Sequence, residues 1–170
     1  ITSPPGRLKK INKQNDNDFQ IFVDYAHTPD ALKKVLISKT LRKKKPNLII
    51  GCGGNRDKLK RPKMGVVANK YANKVYVTDD NPRDEKPESI RKEIMLKCKK
   101  CIEIPNRKEA ILKAVRDLRS KEILIIAGKG HEKYQIYEKN KKLFSDKKIA
   151  NLALLEKIKN EKIKKISNKK

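Results

Sequence analysis

Tryptophan is absent from this 170-residue chain, and aromatic residues together make up only 5% of it. Single-stranded nucleic acids stack on aromatic side chains, so a base-stacking surface is poorly supplied. No apolar run approaches the roughly 20 residues of a membrane-spanning helix, so we expect no membrane partner. No signal segment follows Ile1, and a first residue other than Met leads us to expect part of a longer polypeptide.

Cysteine is also scarce, with only Cys52, Cys98 and Cys101 present. An odd, small number without a secretion signal predicts reduced thiols and a cytoplasmic location. Cys98 and Cys101 have C-x-x-C spacing, which fits a redox motif or, as we favour, chance. A zinc site would need further ligands, and besides Cys52 only His27 and His131 are on offer, so we assign no metal ligand.

Acidic residues are outnumbered: 45 Lys and Arg face 20 Asp and Glu, which gives a net charge of +25. Such a charge suggests nucleic-acid binding, because phosphate neutralisation dominates that affinity. However, the lysines are spread over the whole chain and many lie beside acids, as in residues 83–86. This favours a lysine-biased surface and no nucleic-acid partner, with a basic nucleic-acid-binding module kept as an alternative.

Short apolar runs alternate with helical patterns along the chain. The runs predict strands at 20–23, 47–50, 74–78, 101–104 and 122–127, followed by a hairpin over 134–144. Helices are expected between the strands, and the last one runs from Asp146 to about Lys159. Alternation of this kind predicts an α/β, Rossmann-like three-layer domain, with a mostly parallel sheet of about six strands and helices on both faces.

Candidate capping residues precede three of the predicted helices. Thr28 is followed by Pro29 at the first helical position. Asn106 has capping-box spacing with Glu109, and Ser145 precedes the last helix.

Four polar or glycine-rich stretches follow four of the predicted strands. They are DYAHTP at 24–29, GCGGNRD at 51–57, DNPR at 80–83 and GKGHE at 128–132. Since ligands of open α/β sheets bind beyond the carboxyl ends of strands, we expect these stretches to converge on one rim.

The first two stretches allow two interpretations each. Asp24 and His27 lie at a helix N-terminus, which suits a nucleotide or Mg²⁺ and equally an ordinary cap with a surface histidine. The glycine stretch is no Walker A loop. It either points Arg56 at a ligand or makes a tight turn with a solvated arginine.

The other two stretches combine acids and bases. Pro82 stiffens a turn in which the Arg83 guanidinium is suited to bidentate hydrogen bonding with a carboxylate or phosphate. Asp80 and Asn81 are suited to receive an amine, so the turn fits a zwitterion such as an amino acid, or is simply a capped polar turn. Glu132 in the glycine loop is suited to hold a second cationic group, and an ordinary loop is again the alternative.

Taken in order, five stretches resemble the C-terminal domain of Mur ligases, from about residue 6 to Ala150. They are DYAHTPDAL, GCGGNRDKLKRPKMG, TDDNPRDEKP, AGKGHEKYQ and FSD. The resemblance is strongest to members that add meso-diaminopimelate to UDP-N-acetylmuramoyl-L-alanyl-D-glutamate in peptidoglycan synthesis.

The resemblance implies an ATP-dependent ligase that requires Mg²⁺. ATP would phosphorylate the glutamyl carboxylate, and the amine of diaminopimelate would attack the acyl phosphate. Residues matching diaminopimelate contacts are Arg56, Asp80, Asn81, Pro82, Arg83, Gly128 and Glu132. Weaker matches to positions near the nucleotide are Arg7, Asp24 and His27. No catalytic residue is assigned within these 170 residues.

The resemblance also implies a division of labour. Residues 1–6 would link from a central ATPase domain, 7–159 would form the ligase C-terminal domain, and 160–170 a Lys-rich tail. ATP and the nucleotide-linked dipeptide would bind through domains not included here, so we expect a monomeric chain that is inactive alone. Alternatives are a Mur ligase that adds lysine or another amino acid, and a non-catalytic interaction domain.

Overall fold

The computed structural model describes residues 8–11, 19–38, 41 and 44–167. Its strands are β1 Lys9–Lys10, β2 Gln20–Asp24, β3 Asn47–Ile50, β4 Val75–Val77, β5 Cys101–Glu103, β6 Ile123–Ala127, β7 Tyr134–Tyr137 and β8 Asn140–Leu143. Its helices are α1 Pro29–Leu36, α2 Lys60–Tyr71, α3 Pro87–Met95, α4 Arg107–Asp117 and α5 Asp146–Ser167.

Six strands form one sheet in the order β1-β2-β6-β3-β4-β5, and β7 pairs with β8 in a separate hairpin. β2, β6, β3, β4 and β5 are parallel, and β1 is antiparallel to β2. The predicted α/β class with about six mostly parallel strands is confirmed. Only β1 lacked a sequence signal, because it is two lysines long.

Successive side chains along the strands point to opposite faces of the sheet and pack into two hydrophobic cores, one on each face. In β6, Ile123 and Ile125 pack with α1, α2 and α3, whereas Leu124 and Ile126 pack with α4 and α5. All four are buried, which explains why this strand reads as one continuous apolar run.

The predicted caps form as expected. Thr28 Oγ1 accepts from the Ala31 N–H at 3.3 Å, and Asn106 Oδ1 accepts from the Glu109 N–H at 3.2 Å. Ser145 Oγ accepts from the Lys148 N–H at 3.4 Å. Each side chain therefore satisfies one of the backbone donors left open at a helix start.

Two expectations were wrong. α5 does not end near Lys159 but continues to Ser167, because a lysine-rich sequence still has good helix propensity. Cys98 and Cys101 are not reduced but form a disulfide, since the turn between α3 and β5 brings their Cα atoms to 5.6 Å.

Within the described part of the chain, no helix has both the length and the apolar content to cross a bilayer.

Candidate functional site

The ends of β3, β4 and β6 surround a cleft of about 420 Å³, which we name the arginine cleft. Its lining includes Arg56, Asp80, Arg83, Gly128 and Glu132. These strands are parallel neighbours in the sheet, so their carboxyl ends lie at one edge. The predicted convergence of the loops is confirmed.

Arg83 is held in an unusual backbone conformation, with φ at 53°. Its Nη1 donates to the Gly54 carbonyl at 2.9 Å and to the Asn81 carbonyl at 3.4 Å. A Cβ on Gly54 would lie 1.7 Å from the Pro82 carbonyl oxygen, so only glycine allows this approach. Pro82 is buried and shapes the turn; it is not among the residues that line the cleft.

A buried arginine on α2 holds the two arginine-bearing loops together. Arg61 is 0% exposed and forms two 2.9 Å bonds to the carboxylate of Glu85, one from each Nη. It also donates to Glu93 at 3.0 Å and to the Gly53 carbonyl at 3.2 Å. Since Glu85 accepts from the Asn55 N–H at 2.7 Å, one ion-pair cluster ties the glycine stretch to the segment after Arg83.

The hairpin β7–β8 clamps the DNPR turn from the other side. The Arg83 N–H donates to the Ile136 carbonyl at 3.0 Å, and the Glu138 N–H donates to the Arg83 carbonyl at 2.7 Å. The Gln135 side chain donates to the Asp80 carbonyl at 3.1 Å. These bonds support the left-handed conformation at Arg83, which would otherwise be strained.

A second charge network lies under the same turn. The Tyr137 hydroxyl donates to Asp79 at 2.9 Å, and Arg91 on α3 pairs with both Asp79 and Glu103. Burial and the Asp79 carboxylate raise the pKa of Tyr137, so this hydroxyl stays protonated and keeps donating. The DNPR turn is thus fixed to α3, β5 and β7.

Beside the arginine cleft, β2 and α1 border a second cavity of about 410 Å³, which we name the histidine pocket. Asp24 lies 2% exposed in its wall and accepts 2.7 Å bonds from the N–H groups of Leu8 and Ala26. His27 is exposed and borders both cavities, with Nδ1 donating to the Tyr25 carbonyl at 3.0 Å.

The structure therefore divides the sequence-predicted residues into groups. Arg56, Asp80, Asn81, Arg83, Gly128 and Glu132 line the arginine cleft, and Asp24 and His27 line the histidine pocket. Arg7 lies outside the described residues. Whether any of them contacts a ligand stays a prediction.

Cys52 also lines the arginine cleft, and its thiol does not ionise readily. Burial raises its pKa to about 12, so it is a poor nucleophile and a poor metal ligand at neutral pH. Among the residues that the structure describes, no three His, Cys, Asp or Glu side chains group as metal ligands.

Three cations near the arginine cleft that sequence reasoning missed are almost completely buried in the described part of the chain. Arg61, Arg107 and Lys129 are at most 1% exposed, although long charged side chains normally reach water. Arg107 pairs with the fully buried Asp146 and donates to the Ala127 carbonyl at the end of β6. Lys129 contacts Asp80, Asn81 and Glu132. In a lysine-rich chain, no sequence signal distinguishes these from solvated charges.

Comparison with known proteins agrees with this geometry. The family model "Mur ligase, glutamate ligase domain" matches residues 6–130. The UDP-N-acetylmuramoyl-L-alanyl-D-glutamate--2,6-diaminopimelate ligase of Rickettsia bellii is 48% identical over 160 residues, covering 91% of this chain and 33% of that protein. The enzyme of the same name from Anaplasma marginale is 51% identical over 138 residues, covering 79% and 28%.

Solved structures give the same result. A ligase of that name superposes with a TM-score of 0.80 at 38% identity, covering 91% of this chain and 32% of the other. A bifunctional folylpolyglutamate synthase/dihydrofolate synthase from Yersinia pestis shares the fold alone, at 14% identity and a TM-score of 0.56. The chain spans about a third of the length of its curated relatives, and it belongs to the Mur ligase family, as a C-terminal, glutamate ligase domain.

Proposed function

We propose that this domain binds meso-diaminopimelate for an ATP-dependent ligase that adds it to UDP-N-acetylmuramoyl-L-alanyl-D-glutamate in peptidoglycan synthesis. The observation that carries the proposal is the arginine cleft, whose lining brings Arg56 and Arg83 together with the carboxylates of Asp80 and Glu132. That arrangement complements an amino-acid end, which carries one carboxylate and one ammonium. The identity to relatives named for this reaction supports the same substrate.

In this proposal the cleft holds the end of diaminopimelate far from the reacting amine. Arg83 and Arg56 pair with the distal carboxylate, and Asp80 and Glu132 with the distal ammonium. The two Arg83 bonds described above both use Nη1, so we assign Nη2 and Nε to the substrate. The near amine then projects toward the acyl phosphate, which ATP forms on the glutamyl carboxylate in another domain.

The chemical contribution of this domain is orientation of the nucleophile. Holding the amine in line with the acyl carbon turns a bimolecular attack into an effectively unimolecular one. The tetrahedral intermediate then collapses to an amide and phosphate. Both carboxylate oxygens of Asp24 accept from backbone N–H groups, and the described residues contain no group of three potential metal ligands. We therefore assign no Mg²⁺ ligand in this domain.

The histidine pocket is our proposed contact for ATP. His27 and Lys34 are exposed residues of its lining, and Lys34 adds a positive charge. Arg7 is assigned to the nucleotide from the sequence resemblance alone. The reaction uses nucleotide substrates, so we place it in the cytoplasm. We also propose that the ligase is a monomer and has no nucleic-acid or membrane partner.

The cleft also accounts for selection against lysine, which lacks the distal carboxylate. Bound lysine would leave Arg83 without its partner in a partly desolvated cleft, and an unpaired buried charge costs about 1–3 kcal/mol or more. Selection for diaminopimelate would then rest on the penalty to lysine as much as on affinity for the correct substrate.

Arg83→Ala in the full-length ligase tests this proposal. We expect kcat/KM for diaminopimelate to fall about 100-fold, since a charge-assisted bidentate contact is lost, whereas KM for ATP stays within about twofold. Lys133→Ala, at an exposed position after the glycine loop, is the matched control. Equal losses for both substrates, or a wild-type enzyme that prefers lysine, would contradict the assignment.

The isolated 170-residue chain supplies a second test. We expect weak binding of diaminopimelate by calorimetry and no ATP hydrolysis, because the chain has no P-loop. Ligase turnover by the chain alone would show that the division of labour is wrong.

A further inference from the structure

The glycine loop after β6 turns a lysine inward. Gly128 and Gly130 have φ of 110° and 54°, a region that side-chain-bearing residues rarely adopt. A Cβ would lie 2.9 Å from Asp80 Oδ2 at the first and 2.8 Å from Tyr25 Cβ at the second. Between them, Lys129 is 0% exposed and is not among the residues that line the arginine cleft. Both glycines thus serve to place a buried cation behind the cleft.

The Lys129 ammonium contacts three residues that we propose to bind substrate. Its Nζ donates to Asn81 Oδ1 at 2.8 Å and to Glu132 Oε2 at 3.1 Å, and lies 3.6 Å from Asp80 Oδ1. Asp80 and Asn81 follow β4, whereas Glu132 follows β6, so one cation joins the ends of two different strands.

These contacts decide which way the Asn81 amide points. Its Oδ1 accepts from Lys129 and also from the Ile136 N–H at 3.1 Å, while its Nδ2 donates to Glu132 Oε2 at 3.1 Å. Both groups facing Oδ1 can only donate, so a flipped amide would set donors against donors. Asn81 Oδ1, the atom that would accept from an amine, is thus already used by two donors of the protein, and its Nδ2 group is the part of the amide left to meet a ligand.

We propose that Lys129 is a positioning residue that sets the polarity of the substrate end held in the cleft. It keeps Asn81 as a donor for a carboxylate and occupies one oxygen of Glu132, leaving the other for an ammonium. The charge of Lys129 offsets one of the two carboxylates that it contacts, those of Asp80 and Glu132. The cleft therefore favours a zwitterionic substrate end over a purely cationic one. This inference rests on the proposed function and adds a specificity determinant that never touches the substrate.

Lys129→Met in the full-length ligase removes the charge and keeps a similar apolar length. We expect kcat/KM for diaminopimelate to fall about 10-fold or more, mainly through KM, as a buried ionic contact is broken. We expect the diaminopimelate-to-lysine preference to fall by at least about 10-fold, because a more anionic cleft tolerates the cationic end of lysine. KM for ATP should not change.

The exposed Lys133→Met is the matched control and should leave the preference unchanged. Lys129→Gln separates charge from hydrogen bonding, because its amide can still donate to Asn81. It should restore part of the diaminopimelate affinity but not the preference. A folded Lys129→Met enzyme with the wild-type preference would overturn the inference.

Solvent exchange of the Asn81 side-chain amide tests the positioning role without measuring turnover. The side-chain amide of Asn81, assigned in ¹⁵N–¹H spectra of the wild-type ligase, should exchange slowly with solvent and faster after Lys129→Gln. Unchanged exchange would overturn the positioning role. If the wild-type ligase rejects diaminopimelate, the proposed function fails, and this exchange measurement still decides the role of Lys129.

Discussion

The arginine cleft and the histidine pocket lie side by side yet are built differently. The cleft is held largely by side-chain contacts, such as Arg61 with Glu85 and Lys129 with Asn81, together with backbone bonds between the hairpin and Arg83. In the histidine pocket, the acid is held by backbone N–H groups, and His27 is exposed.

This difference indicates how complete each site is within one domain. The cleft is partly preorganised before any ligand arrives, which lowers the entropy cost of binding. Asp80 and Glu132 are already paired with Lys129, and two backbone carbonyls already hold the Arg83 side chain. The pocket presents an exposed ring and a buried acid, which is the form expected of a surface that contributes only part of a nucleotide site. The cleft should therefore depend on buried charges, and the pocket on contacts made at its surface.

The largest effect, on the free energy of unfolding, should come from Arg107, because its side chain holds the elements that support the cleft. It is 1% exposed and pairs bidentately with the buried Asp146, both bonds at 2.8 Å. Although burial opposes the charge, Asp146 raises the pKa of Arg107, so the pair stays ionised. Arg107→Met should lower the free energy of unfolding by about 3–5 kcal/mol, because a buried carboxylate loses its partner.

Urea denaturation of the 170-residue chain measures this loss. Arg116→Met, at an exposed position on the same helix, should stay within about 0.5 kcal/mol of wild type. Equal midpoints for the two variants would mean that the buried pair does not stabilise the rim.

Glu132→Gln tests the amine half of the cleft. Removing the charge weakens a contact to ammonium of about 1.5–3 kcal/mol, so kcat/KM for diaminopimelate should fall roughly 10- to 100-fold in the full-length ligase. KM for ATP should stay unchanged, because we assign ATP to the histidine pocket and not to the arginine cleft. Glu156→Gln, at an exposed position on α5, is the control. Wild-type kinetics with diaminopimelate would remove Glu132 from the amine site.

Glu85→Gln tests, through the pH dependence of stability, the ion pair between Arg61 and Glu85 that joins the two arginine-bearing loops. We call this pair the Arg61 clamp. Hydrogen bonds from Arg61 lower the pKa of Glu85 from 4.5 to about 2. A depressed folded-state pKa adds stability that is complete above pH 4.5 and is lost as pH falls toward 2. The variant should be less stable at pH 7, and its stability should fall less steeply through that acid window.

The measurement is urea unfolding of the 170-residue chain at several pH values. Glu88→Gln on the exposed side of α3 should follow the wild-type pH dependence. Parallel curves for Glu85→Gln and wild type would show that the Arg61 clamp does not depend on ionisation of Glu85.

The sequence predicted the fold closely because each element carries a local signal. The run EILIIA reads as a doubly buried strand, and Thr28, Asn106 and Ser145 cap helices as their types and positions require. β1 escaped because two lysines on an edge strand have no apolar pattern. The loops of the cleft were predicted to meet because parallel strands share an edge.

What sequence reasoning could not provide is the fate of individual charges. Arg61, Arg107 and Lys129 resemble the many solvated cations of this chain until the fold surrounds them with carboxylates. Burial of an ion depends on partners that are distant in sequence, such as Asp146, which lies 39 residues from Arg107. The Cys98–Cys101 disulfide escaped likewise, because spacing alone does not distinguish it from chance.

The smallest effect should come from His27→Ala, which tests the histidine pocket. One exposed hydrogen bond or ring contact is worth about 0.5–1.5 kcal/mol, so KM for ATP should rise roughly 2- to 10-fold in the full-length ligase, with KM for diaminopimelate unchanged. His131→Ala is the informative control, because both imidazole rings contact Tyr25, at centroid distances of 4.8 Å for His27 and 5.6 Å for His131. His131 does not line the histidine pocket. A rise in KM for ATP with both variants would assign the effect to Tyr25 packing, whereas a rise with His27→Ala alone would assign it to the nucleotide.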